Sequence, residues 1–271
     1  MEGTKDTPGR EQAGFLAGFG ELDRILRGDL TKVSSLRRGG IEVSPGRLSL
    51  VIVLLGMVYG ICMGTFTLFR TKDPHALQIL ASMVKVPLLF FLTLLVTLPS
   101  LYVFNALVGS RLTLATVVRL LVASLGVMVA VLASLGPIVA FFSVSSTSYP
   151  GMLLFNVVVC GVSGALGLSF LLQTLHRLSI PDSGAARAPM GEGAEPIEPA
   201  SALDPVENRV MGKHVKTVFN LWVIVFALVG AQMGWVLRPF IGNPNMPFTW
   251  FRGRESNFFQ AVLHTLQNLT S

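Results

Sequence analysis

The chain has 271 residues, of which 51% are hydrophobic and only 13% charged. A soluble domain is nearer a quarter charged, so this sequence lacks the polar residues to coat a globule in water. Its formal net charge of +6 sits mainly beside apolar runs, a membrane-topology pattern that argues against a nucleic-acid-binding surface.

Residues 1–14 are polar. The stretch "GFLAGFGELDRILRG" then places Phe15, Leu16, Phe19, Leu22, Ile25 and Leu26 at helical spacing, with Glu21, Asp23, Arg24 and Arg27 on the other face. Gly28 offers a stop. This predicts an amphipathic helix on the membrane surface or against a bundle. The first 47 residues contain no signal-type apolar core, so the first span is expected to act as an uncleaved anchor.

That span is read as Leu48–Phe69, preceded by Arg37, Arg38 and Arg47. The next apolar stretch, Ala76 to Val108, is too long for one upright helix at about 1.5 Å per residue. Lys85 and Pro87 are expected to divide it into an interfacial segment, "HALQILASMV", and a span at Val86–Val108 kinked by Pro99. A third span is placed at Leu120–Phe142, with Arg119 at its entry and Gly136-Pro137 bending its far end. A fourth follows at Met152–Leu175. Residues 176–217, rich in Pro, Ala, Gly and Glu, read as a disordered connector. A fifth span is expected at Val218–Leu237.

Lys and Arg number fifteen on the side holding the N-terminus and the 176–217 connector, against six on the other. This excess places the N-terminus in the cytoplasm and, with five spans, residues 238–271 outside.

"GMVYGICMG" sets Gly56, Gly60 and Gly64 four residues apart on one helix face. Small residues let two backbones approach and gain dispersion contacts that lipid tails cannot match. Gly230 and Gly234 repeat the device in the fifth span, and Gly161, Gly164 and Gly167 offer another in the fourth. These glycines are predicted to pack helices within the bundle, with a homodimer seam as the alternative.

Chemistry inside a membrane usually needs an ionisable residue within a span. No carboxylate falls between Asp73 and Asp182, and none lies in the first or fifth span. "GVSG" at 161–164 resembles the GxSG motif of rhomboid-type intramembrane serine proteases, but its Ser163 would need an imidazole base. His75, His176, His214 and His264 all fall outside mid-span positions. No His or Cys pair has metal-ligand spacing. Cys62 and Cys160 read as buried apolar residues. Asn105, Asn156, Asn220 and Gln232 are polar groups suited to interhelical hydrogen bonds, or to lining a polar path in a transporter or channel subunit. No enzyme activity, cofactor or metal is expected.

The closing stretch "QMGWVLRPFIGNPNMPFTWFRGRESNFF" combines prolines that stop a helix with interfacial aromatics. Arg238, Arg252 and Arg254 could meet lipid phosphates or pair with Glu255, and Trp250 could anchor at the interface. A last amphipathic helix is marked by Phe258, Phe259, Val262, Leu263, Leu266 and Leu269. The tail is expected to cap the bundle.

The second-to-fourth spans, through "KVPLLFFLTLLVTLPSLYVFNALVGSRLTLATVVRLL" and "LASLGPIVAFF", resemble the Yip family of Rab-GTPase-interacting integral membrane proteins. The resemblance implies five spans, a cytoplasmic N-terminus, an external C-terminus and a trafficking-like role. The DLxGP-type segment of eukaryotic members is absent before the first span, so no partner-binding residue carries over. The tail is also similar to bacterial multi-pass proteins with "GW-LRPFIG-P" and "FR-RESNFF" text.

The expected fold is therefore an all-α membrane protein, a five-span bundle with interfacial amphipathic helices at both ends. Its organisation reads as a cytoplasmic region 1–47, a four-span unit 48–175, the linker 176–217, the fifth span 218–237 and an extracytoplasmic tail 238–271. Its expected location is the cell (inner) membrane. The expected partners are the bilayer and either another membrane protein or a second copy.

Overall fold

The computed structural model describes residues 8–28, 43–70, 76–107, 114–178, 204–243, 248–253 and 256–270. These residues form seven helices and, among them, no strand: α1 (Pro8–Leu26), α2 (Pro45–Arg70), α3 (Ala76–Leu107), α4 (Leu114–Ser145), α5 (Tyr149–Leu178), α6 (Asp204–Val236) and α7 (Phe258–Thr270). Four stretches are long and apolar enough to cross a membrane: Pro45–Phe69, Leu77–Val103, Leu114–Ser145 and Tyr149–Thr174. The apolar part of α6, Asn220–Val236, is shorter.

Two elements differ from the sequence reading. The predicted break at Lys85-Pro87 does not occur, because α3 runs unbroken for 32 residues with Pro87 and Pro99 inside it. A proline removes one ladder bond, and packed neighbours make that tolerable within a membrane bundle. Pro87 lies against Gly56 of α2. In addition, α6 begins at Asp204, so residues 204–217 of the expected linker are helical. Pro205 sits in its first turn, where a missing N–H costs nothing. Residues 179–203 lie outside the described ones.

The helices alternate up and down. Gly56, Gly60 and Gly64 on α2 face Pro87, Ser82 and Ile79 on α3, so the pair is antiparallel. Gly126 and Gly136 of α4 face Leu48 and Cys62 of α2, which makes those two parallel. Gly167 of α5 meets Ser124 and Met128, while Ser143 meets Met152, so α4 and α5 are antiparallel. Thr93 and Leu89 of α3 face Gly230 and Gly234 of α6, again antiparallel. Helix α2 is the hub, packed between α3 and α4.

Helix α1 fills the end where α2 begins. Leu22 and Ile25 are buried, and Leu22 packs on Leu48 and Gly126. The Glu21 carboxylate accepts the Ser44 N–H at 3.1 Å and lies 3.8 Å from Arg47, tying α1 to the start of α2. Leu16 and Leu26 remain exposed. The helix ends where Gly28 takes φ 76°, a left-handed conformation that glycine adopts without Cβ strain.

At the other end the helices stop at different heights. Gly234 is level with Leu89, so α6 ends roughly 16 Å short of the start of α3, at 1.5 Å per residue. Beyond α6 the chain climbs the upper turns of α3 as irregular backbone, returns, and enters α7. Asn257 caps α7: its Oδ1 accepts the Gln260 N–H at 2.9 Å, and Gln260 Oε1 accepts the Asn257 N–H at 3.3 Å.

Candidate functional site

Gln78, Ser82, Lys85, Leu89, Thr93, Thr97 and Ser100 recur at three- and four-residue spacing along α3 and form one stripe. That stripe faces α6 and its irregular continuation. Low on it, Trp222 Nε1 of α6 donates to Ser100 Oγ at 3.1 Å, and Gly230 lies against Thr93. Higher up, the stripe meets the non-helical segment that follows Arg238-Pro239.

Non-helical backbone at the depth of apolar helices must find donors and acceptors within the protein. Here α3 supplies the donors. Gln78 Nε2 donates to Pro239 O at 3.3 Å and to Phe240 O at 3.0 Å, and Ser82 Oγ donates to Phe240 O at 2.5 Å. Lys85, 2% exposed, donates from Nζ to Pro239 O at 3.1 Å and to Trp250 O. Its ammonium lies 5.1 Å from the centre of the Phe251 ring. One lysine thus holds both legs of the loop, the ascending leg at Pro239 and the returning leg at Trp250. Gly242 fits against Thr67 and Gln78, where an added Cβ would come within 2.5 Å of Thr67 Oγ1.

The returning leg is pinned further down. Arg238 Nη2 donates to Gly253 O at 2.6 Å, and its guanidinium stacks 3.5 Å from the Trp235 ring centre. Trp235 Nε1 donates to Ser256 O. Arg252 is half-buried, within electrostatic range of Lys85 and Tyr149. Trp250 is 46% and Phe251 59% exposed. Arg254 and Glu255 lie outside the described residues.

The glycines chosen from the sequence occupy different settings. A Cβ on Gly60 would lie 2.6 Å from Ser82 O, and one on Gly64 3.0 Å from Ile79 Cα. Gly56 touches Pro87, and Gly167 is tight against Met128 and Ser124. Gly164, Gly230 and Gly234 have looser neighbours, at 3.5–4.0 Å from a Cβ. Gly161 is exposed, and an added Cβ there would meet nothing within 4 Å.

The remaining polar candidates are used inside the bundle. Tyr59 Oη donates to Asn156 Oδ1 at 2.9 Å, and Asn156 Nδ2 donates to Met152 O at 2.9 Å. Ser163 is fully buried and donates to Val159 O at 2.9 Å, one turn back on its own helix. Gln232 is half-buried on α6, and the Asn105 side chain lies outside the described residues. Between α3, α4, α5 and α6 a cavity of about 10 Å³ is lined by Leu94, Leu121, Met128, Leu171, Trp222 and Phe226. A space of that size is at the lower limit for one water, and its wall is mainly apolar. Among the described residues no group of His, Cys, Asp or Glu could hold a metal ion.

The sequence reading takes Lys85 only as a boundary between two segments, where it looks like a flanking charge. The available signal was the Gln78-Ser82-Lys85 spacing, a polar stripe inside an apolar run, which must turn toward protein. Comparison with family models, with curated proteins and with solved structures finds no match to this chain, so its fold and its lysine-held loop stand on their own geometry.

Proposed function

We propose that this chain is a non-catalytic integral membrane protein that organises the membrane by associating with another membrane protein or a second copy of itself. In this reading α6 is a fifth span through Asn220–Val236, the N-terminus is cytoplasmic and the tail is external. The Yip-family resemblance, with its trafficking-like role, points the same way.

One observation carries the proposal. On α5, Gly161, Ala165 and Ser169 recur every fourth residue, and all three are exposed. Val158, Val162 and Leu166 beside them are exposed as well. This small-residue face points away from the bundle, so it is free for close approach by a further helix. The interior polar residues Tyr59, Gln78, Ser82, Lys85, Asn156 and Ser163, by contrast, bond to one another, to their own helices or to the loop after α6.

Cysteine cross-linking in native membranes tests the reading. With Cys62 and Cys160 replaced by alanine, Ala165→Cys is expected to give a cross-linked adduct, whereas Ala130→Cys on half-buried α4 is not. Gly161→Leu should abolish the adduct while the protein still inserts. Equal labelling at both positions, or solute flux through purified protein in liposomes, would replace this reading with another.

A further inference from the structure

Helix α7 divides into three faces. Phe258, Ala261, Val262 and Thr265 are half-buried and recur at three- and four-residue spacing, the face on which α7 rests against α5 and α6. The Thr265 hydroxyl donates to Ala261 O at 2.7 Å on its own helix, so it asks nothing of the bundle. Phe259, Leu263 and Leu266 recur at the same spacing about a third of a turn away, and all three are exposed. Gln260, His264, Gln267 and Asn268 complete the circuit as an exposed polar face, on which Asn268 Nδ2 lies 3.1 Å from His264 Nδ1. The whole helix, 13 residues long, contains no Asp, Glu, Lys or Arg.

Each face calls for a different neighbour. Helix α5 supplies one of the four stretches able to cross a membrane, and its exposed Val158 and Val162 meet whatever surrounds that stretch. A helix lying on α5 shares that medium, so the exposed apolar face of α7 meets hydrocarbon. The polar face cannot follow it, because amide and imidazole groups taken into hydrocarbon lose their hydrogen bonds to water. Both demands are met where the axis lies along the boundary between acyl chains and headgroups. An upright axis would carry the polar face into the acyl chains. Trp250 and Phe251, exposed on the loop that leads into α7, suit the same level. A second copy of the chain fits this face poorly, since a stable protein interface buries roughly 1,200 Å² or more and three side chains fall well short.

We propose that α7 inserts Phe259, Leu263 and Leu266 among the acyl chains of a phospholipid surface, and that it needs no anionic headgroup to do so. An interfacial helix gains affinity from buried apolar area and from basic residues facing anionic lipid; α7 has only the first. The inference rests on the membrane reading above and adds a contact with neutral lipid at the end of the bundle where α6 stops.

The test uses the full chain with Cys62 and Cys160 replaced by alanine, reconstituted in vesicles of phosphatidylcholine alone or mixed with phosphatidylglycerol. Leu263→Cys and His264→Cys, adjacent in sequence and both exposed, each carry an environment-sensitive fluorophore. Iodide on both sides of the vesicle should quench the label at 264 about tenfold more strongly than at 263, the factor that burial of one large apolar side chain supplies. Brominated acyl chains should show the reverse order. Both results should be the same in the two lipid mixtures. Equal iodide quenching at the two positions overturns the insertion, and strong bromolipid quenching at both overturns the axis along the surface. Shielding of 263 that appears only with phosphatidylglycerol overturns the neutral-lipid assignment. Shielding that disappears as the protein is diluted in lipid assigns the face to a second copy and overturns it as well. A chain that cannot be reconstituted at all overturns the membrane reading beneath it.

Discussion

The two faces of α3 solve the problem of life in an apolar medium in opposite ways. Toward α2 it presents a close seam in which Gly56, Gly60 and Gly64 admit the backbone at Pro87, Ser82 and Ile79. Both partners there are helices, each satisfying its own backbone, and contact needs only small side chains and dispersion. Toward α6 and the loop it presents donors, because the loop has no ladder of its own. Where backbone is helical, removing atoms stabilises the contact; where it is irregular, the neighbour must supply hydrogen bonds.

The largest expected effect falls on the donor face. Lys85→Met keeps the length of the side chain but leaves Trp250 O without its donor and Pro239 O with Gln78 alone. A buried carbonyl left unpaired costs about 1–3 kcal/mol and a lost charged hydrogen bond about as much, so thermal unfolding in detergent should show a loss of about 3 kcal/mol. Cleavage by added protease in the 237–257 stretch should rise at the same time. A variant as stable as the wild type would show that the lysine is incidental to the loop. Next comes the glycine seam: Gly60→Ala would press a methyl against the Ser82 carbonyl, which is backbone and cannot swing aside. The expected loss is about 2 kcal/mol, from overpacking. The smallest effect belongs to Gly161→Ala, which meets open space and should change unfolding by less than about 0.5 kcal/mol. If Gly161→Ala costs as much as Gly60→Ala, the contrast between an inner seam and an outward face is lost.

The long apolar helices were legible because runs such as Leu48–Phe69 and Leu120–Phe142 exceed what a soluble core helix needs. Their ends were not: α4 runs from Leu114 to Ser145, several residues past the expected span at each end. Helix can continue past the apolar limit wherever no breaker intervenes. Lys85 misled for a different reason. A lysine two residues before a proline looks like a break, and only the return of residues 239 and 250 to the same spot makes it an interior residue. That contact joins positions 154 and 165 apart in the chain, beyond the reach of any local pattern. Glycine spacing likewise marked close packing without telling inside from outside. Gly167 is wedged against α4, while Gly161 on the same helix faces away.

The distance between Lys85 and its partners also bears on biogenesis. Ribosomes make Lys85 154 residues before Pro239 and 165 before Trp250. Through most of translation, then, the nascent chain carries an ammonium whose acceptors do not yet exist, in a helix otherwise suited to oil. Only the finished polypeptide can shelter it. A chain cut short before residue 239 would leave that ammonium without either of the carbonyl oxygens that hold it in the finished fold.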